Sequence, residues 1–281
     1  MSRARLFRSI KALDLEAVAA ILAAEPALAR AADDRRRNPL HFLCSLPGGA
    51  KTAARSIALA RHLLGAGIGI DTPAFVEGAF RATPLWYAIS RGRNLPLARF
   101  LLQAGSTPEY CLWAAGFADD VEAVDLLVRH GASLDPVTED ETPFLGAIKW
   151  SRFTAAERLL HHGANVNFQN SKGLTALHLV LKKDSAPRHV EMLMRHGADP
   201  TLRSRDGKSP LDLVAKRRDK TYLELLSRRL PLSPRGERST RTAQSRTRRP
   251  RPDGDPDRPS RPPGPAHSAN RLTLLERRRP R

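Results

Sequence analysis

Short helix-opening signatures recur along this 281-residue chain, with 33 residues from Thr142 to Thr175 and 34 from Thr175 to Ser209. From Thr83, Thr142 and Thr175 a glycine turn follows 22, 21 and 22 residues later, and a period of that size means a stack of small units rather than one closed globule. The openings are Thr83-Pro84-Leu85, Thr142-Pro143-Phe144, Thr175-Ala176-Leu177-His178 and Ser209-Pro210-Leu211, with Asn38-Pro39-Leu40-His41 as a looser fifth. The turns are Gly67, Gly105, Gly131-Ala132, Gly163-Ala164 and Gly197-Ala198, each preceded by a leucine-rich run such as Arg158-Leu159-Leu160-His161-His162.

The chemistry of each signature predicts a pair of helices. Thr or Ser accepts a hydrogen bond from an otherwise unpaired N–H of the first turn, and the adjacent Pro sits where no donor is needed. Leu126-Leu127-Val128, Leu159-Leu160 and Leu225-Leu226 supply the apolar end of the second helix, and Gly then takes the left-handed conformation that stops it. One such pair cannot enclose a core, so stability must come from pressing each pair against its neighbours.

These elements, recurring in one order at one set of offsets, resemble the ankyrin-repeat family over roughly residues 1–230. Asn165-Val166-Asn167 and Asp199-Pro200-Thr201 stand where that family has Asp-Val-Asn. The resemblance implies an all-α solenoid of stacked helix-turn-helix units with short hairpin loops. It also implies a binding scaffold with a polypeptide partner, no catalytic residue, no cofactor and no metal.

The expected organisation is a capping helix pair over 1–34, six repeats over 35–230 and a disordered tail over 231–281. In the cap, Leu15, Val18, Ala19 and Leu22 fall at helical spacing. The six repeats open near Asn38, Thr83, Glu109, Thr142, Thr175 and Ser209, the third being placed only by counting back from Gly131. Residues 46–51 insert between the helices of the first repeat. From turn Gly to next opening the count is 12 for Gly163 to Thr175 and for Gly197 to Ser209, but 16 for Gly67 to Thr83 and only 4 for Gly105 to Glu109. The long connection predicts an enlarged, partly apolar finger over 74–80. The short one cannot project, so a finger should be missing and the concave wall should have a gap.

With 41% apolar and 27% charged residues the repeat region has enough Leu and Ala for a continuous core. No segment nears the roughly 18 uninterrupted apolar residues of a membrane helix, and Asp14 and Glu16 interrupt what would be the apolar part of a signal peptide. A monomeric cytoplasmic protein is expected, export without a cleavable signal being the alternative. Cys44 and Cys111 lie two layers apart, about 20 Å, beyond the roughly 7 Å reach of a disulfide, and should be buried free thiols.

After about residue 230 the composition changes. Residues 231–281 hold 14 Arg and no Lys against 5 acidic residues, half of the chain's net charge of +18, together with 10 of its 22 prolines. Such a segment cannot bury enough apolar surface to offset its ordering entropy. Its arginines suit nucleic acid or another polyanion, a second candidate activity; the lack of aromatic residues argues against base stacking.

Candidates for chemistry are weak. Leu64-Gly65-Ala66-Gly67-Ile68-Gly69 looks like a phosphate loop but follows a helix and aligns with the repeat turn Leu160 to Asn165. His161 and His162 are adjacent and cannot both face one metal from a helix end, while His41 and His178 occupy the opening motif and are expected to be structural hydrogen-bond partners. The concave face is expected to carry the residues seven and eight places after each opening. These include Arg91, Phe117, Lys149-Trp150 and Lys182-Lys183, with Phe117 and Trp150 stacking across neighbouring repeats. Lys172, Leu174, Arg205 and Lys208 extend the surface along the later hairpins. Aromatic anchors flanked by cations fit an acidic or amphipathic polypeptide, and Asp135, Glu139, Asp140 and Glu141 are close enough in sequence to fold back onto those lysines.

Overall fold

The structure, a computed structural model, describes residues 2–77, 80–217 and 219–227. Among these residues the chain forms seven consecutive helix pairs. They are α1 (Arg3–Ala12) with α2 (Leu15–Ala24), α3 (Pro39–Cys44) with α4 (Ala50–Gly65), α5 (Pro84–Tyr87) with α6 (Leu95–Gln103), and α7 (Cys111–Ala118) with α8 (Val121–Arg129). The remaining three are α9 (Pro143–Lys149) with α10 (Phe153–His161), α11 (Ala176–Lys182) with α12 (Pro187–Arg195), and α13 (Pro210–Arg217) with α14 (Lys220–Ser227). A π-helical turn, Ala88–Gly92, continues α5. The Arg-rich segment 231–281 lies outside the described residues.

The caps explain where these helices begin. Thr83 and Thr142 accept from Trp86 N and Leu145 N at 3.3 and 3.2 Å. Ser209 accepts from Asp212 N at 3.1 Å while Asp212 accepts from Ser209 N at 2.9 Å, a reciprocal capping box. Second helices are capped as well, through Asp14, Asn94 and Asp120. Each cap is worth about 1 kcal/mol against alanine. At the other end, Gly67, Gly105, Gly131, Gly163 and Gly197 all have φ between 81° and 97°, which a side chain would disfavour.

The pairs close over one hydrophobic core that runs from Leu6 in the first pair to Leu226 in the last. Phe144 on α9, with α7 on one side and α11 on the other, is fully buried. Truncating a side chain of that size there costs about 3–5 kcal/mol. Cys44 and Cys111 are free and fully buried, and burial pushes both thiols up, away from the reactive thiolate.

Two departures from regularity shape one wall. The 16-residue connection forms a small hairpin in which β1 (Val76–Glu77) pairs antiparallel with β2 (Phe80–Arg81); residues 78 and 79 of the expected finger lie outside the described residues. After Gly105 no hairpin projects, and the helix opens one residue later than counting suggests. Tyr110 rather than Glu109 holds the N-cap position, in a left-handed conformation at φ 61° without a side-chain cap. The reason is the turn made by the short connection, in which Cys111 N donates to Pro108 O at 3.1 Å. The inserted residues 46–51 dock on the following pair, where Gly48 N donates to Gly92 O at 2.7 Å.

Candidate functional site

A row of polar bonds between successive units fixes how the exposed side chains line up. Asp71 accepts from Ser106 Oγ at 2.6 Å and Thr107 N at 3.0 Å, Asp135 from Asn165 N at 3.1 Å, and Asn167 Oδ1 from Asp199 N at 2.8 Å. All three stand four residues after their turn glycine and reach the following turn, so one Asp or Asn per unit sets the register. His178 makes the equivalent bond at the opening. Its Nδ1 accepts from Thr175 N at 3.1 Å, which leaves Nε2 to donate to Lys208 O at 3.0 Å on the next unit. His41 is also buried, against the edge of the Tyr87 ring. Backbone at Thr72 and Ala82 faces it without completing a hydrogen bond, and desolvation lowers its pKa to about 4.

On that frame the ends of the first helices α7 and α9 bring Phe117 and Trp150 together. Phe117 closes the exposed end of α7 and Trp150 follows α9. Their rings meet edge to face, centroids 5.6 Å apart, and 38% and 43% of the two residues remains exposed. The Arg152 guanidinium lies 5.4 Å from the Phe117 ring centre, a cation–π contact. Arg91, on the π-helical turn, and Lys182, at the end of α11, are exposed.

The lysines beside the aromatic pair have partners within the protein. Lys149 Nζ is 2.6 Å from Glu141 Oε1, so part of the acidic stretch does fold back. Lys183 donates to Lys149 O and, at 3.3 Å, to Ser151 Oγ, tying the end of α9 to the end of α11. Its pKa is lowered by desolvation and by the Lys149 charge.

Further along, Lys172, Arg205 and Lys208 are exposed on the hairpins and Leu174 is half-buried between them. The hairpins are bonded to one another. Asp140 accepts from the Ser171 N–H and hydroxyl, Arg205 N donates to Lys172 O at 2.9 Å, and Gln169 Nε2 donates to Arg203 O at 3.0 Å. The surface is thus preformed and basic toward its C-terminal end.

Sequence reasoning left out a second aromatic group. Phe80 of the enlarged finger has its ring centre 5.4 Å from Trp86 and 6.3 Å from both Phe75 and Tyr110. Phe75 and Val76 are about half exposed at 50% and 49%. The expected gap is therefore partly bridged, because Phe80 reaches the unit that lacks a finger. The signal was present in the apolar composition of the long connection, but only the fold places Tyr110 opposite it.

Residues 159–214 match the family model for ankyrin repeats, described as occurring in many copies. That stretch carries ankyrin repeats. No curated protein matches it by sequence. Among solved structures, the ankyrin repeat domain of Bcl-3, a member of the IkappaB protein family, is similar at TM-score 0.64 and 23% identity, over 79% of this chain and 97% of that one. The human ASB11 ankyrin repeat domain gives 0.62 and 24%, over 81% and 99%. An ankyrin repeat domain from Acinetobacter baumannii gives 0.54 and 26%, over 67% and 95%. At these identities the likeness establishes the ankyrin fold. Ankyrin repeat domains generally mediate protein–protein interactions. Among the described residues no helix is long and apolar enough to cross a membrane.

Proposed function

We propose that this ankyrin protein is a non-enzymatic scaffold that binds an acidic or amphipathic polypeptide on its concave face. In this reading α1 and α2 cap the stack and the six following pairs are the repeats. The observation that carries it is the Phe117–Trp150 pair, two large rings in contact with each other and still well exposed to solvent. Soluble chains rarely leave such rings open without use, and aromatic anchors dominate interface energies. Arg91, Lys182, Lys172, Arg205 and Lys208 are exposed cations on the units that make up this proposed surface, which favours an acidic segment and speeds its approach. Leu174 offers it an apolar contact.

Lys149 and Lys183 act differently. Both are engaged within the protein, so their role is to hold the ends of α9 and α11 where Trp150 is presented. Affinity capture with the full chain as bait, comparing wild type with Trp150→Ala, tests the proposal. A partner retained by the wild type and lost from the variant supports it; equal retention of every captured protein contradicts it.

The 14 arginines of 231–281 support a second activity, polyanion binding. Salt-sensitive retention on heparin that disappears on truncation after Leu230 is its expected signature, and retention unchanged by the truncation would exclude it.

A further inference from the structure

Glu157, His161 and His196 come together on the second-helix side of the stack, apart from the proposed concave surface. Glu157 and His161 are one turn apart on α10 and share a face at i and i+4. His196 follows the last residue of α12 on the next unit. One ligand atom from each lies within 4.8 Å of the others, and the two imidazole rings have centres 4.9 Å apart. His162, the adjacent histidine, is turned away and bonded to Asp125 at 2.7 Å. The chain therefore separates its neighbouring histidines into one structural and one available ring, which adjacency in the sequence conceals.

We propose that Glu157, His161 and His196 form a zinc-type divalent cation site that joins the α9/α10 unit to the α11/α12 unit. Two imidazoles and one carboxylate are the donor set that borderline first-row cations take, at about 2.0–2.2 Å per ligand, with a fourth position left for water. Ligands of a tetrahedral ion at those distances stand roughly 3.3 Å from one another. The separation of up to 4.8 Å here exceeds that by about 1.5 Å, which is the side-chain rotation that binding requires. Arg195 Nη2 stands at a long 3.6 Å from Glu157 Oε1, a loose ion pair that a dication displaces.

The consequence is mechanical. A cation held by two units adds a cross-link between α10 and α12 beside the loose Glu157–Arg195 pair, and it stabilises the native state by mass action. The test is calorimetric titration of zinc chloride into the full chain at pH 7.5, with thermal unfolding in zinc and in EDTA. Expected are one zinc per chain and an unfolding temperature raised by zinc and reversed by EDTA. His161→Ala and His196→Ala should each weaken binding by about tenfold or more, Glu157→Gln less, and His162→Ala not at all, with circular dichroism confirming that each variant is folded. Absence of binding to the wild type, or binding that persists in the His161→Ala/His196→Ala double variant, overturns the site.

Discussion

The two opening-motif histidines show how one residue type serves the stack in two ways. His178 bonds its own unit through Nδ1 and the next through Nε2, so His178→Ala removes an inter-unit bond and leaves Lys208 O without that donor. A loss of about 2–3 kcal/mol in urea unfolding is expected. His41 lacks those bonds but is equally buried. Both imidazoles have lowered pKa values, that of His41 to about 4, so the unfolded chain takes up protons first as pH falls. Their stabilisation is complete above the unfolded value of about 6.5 and is lost as pH drops through that value toward the folded one. From pH 7 to pH 5 His41 alone should remove about 2 kcal/mol, and a His41→Leu variant should show a correspondingly smaller fall in its urea midpoint. The structural role of these residues was legible from Pro39-Leu40-His41 and Ala176-Leu177-His178. The missing bonds of His41 were not, because they follow from the longer finger that precedes Thr83.

Element by element, the repeat boundaries were readable wherever local chemistry marks them. A Thr, Ser or Asn cap, a following Pro or Ala, and a left-handed Gly are short-range signals, and they located α3, α5, α9, α11 and α13. The third repeat has none of them at its start. Tyr110 caps α7 with no side-chain bond, so counting fell one residue short. Inter-unit contacts were less visible still, since Asp71 to Thr107 and Asp125 to Arg158 join residues more than thirty apart. One close approach between elements gives a direct test. A Cβ on Gly146 of α9 would stand 2.5 Å from Cζ3 of Trp113 on α7. Alanine gains about 1 kcal/mol of helix propensity, but overpacking costs about 1–3 kcal/mol. Gly146→Ala should therefore be destabilising on balance, and combining it with Trp113→Leu should cost less than the two separate losses together. At the hairpin between α8 and α9, Glu139 and Asp140 both have positive φ, 49° and 70°, in a two-residue turn closed by the Thr138–Glu141 bridge. Glycine suits such a turn, so Glu139→Gly should raise stability by about 0.5–1 kcal/mol in the same urea assay.

The described helix pairs form a line of neighbours, so their stability is approximately a sum over adjacent interfaces and the proposed binding surface is the sum of what each unit leaves exposed. Zipping the hairpins together through Asp140, Ser171, Lys172 and Arg205 makes that surface preformed, which reduces the ordering cost of binding. The central claim is that Trp150 belongs to this surface and not to the core. Most of the row could be traced from the repeat register, since seven and eight residues after an opening the chain leaves a helix end. The partners of Lys149 and Lys183 could not, because each depends on how far one unit is rotated on the next. The most direct measurement sets two numbers for Trp150→Ala side by side, its affinity for a captured partner and its urea unfolding midpoint. The account predicts binding weaker by about thirtyfold, near 2 kcal/mol, with the midpoint essentially that of the wild type. A fall in folding stability as large as the loss in binding would make Trp150 a packing residue and contradict the account.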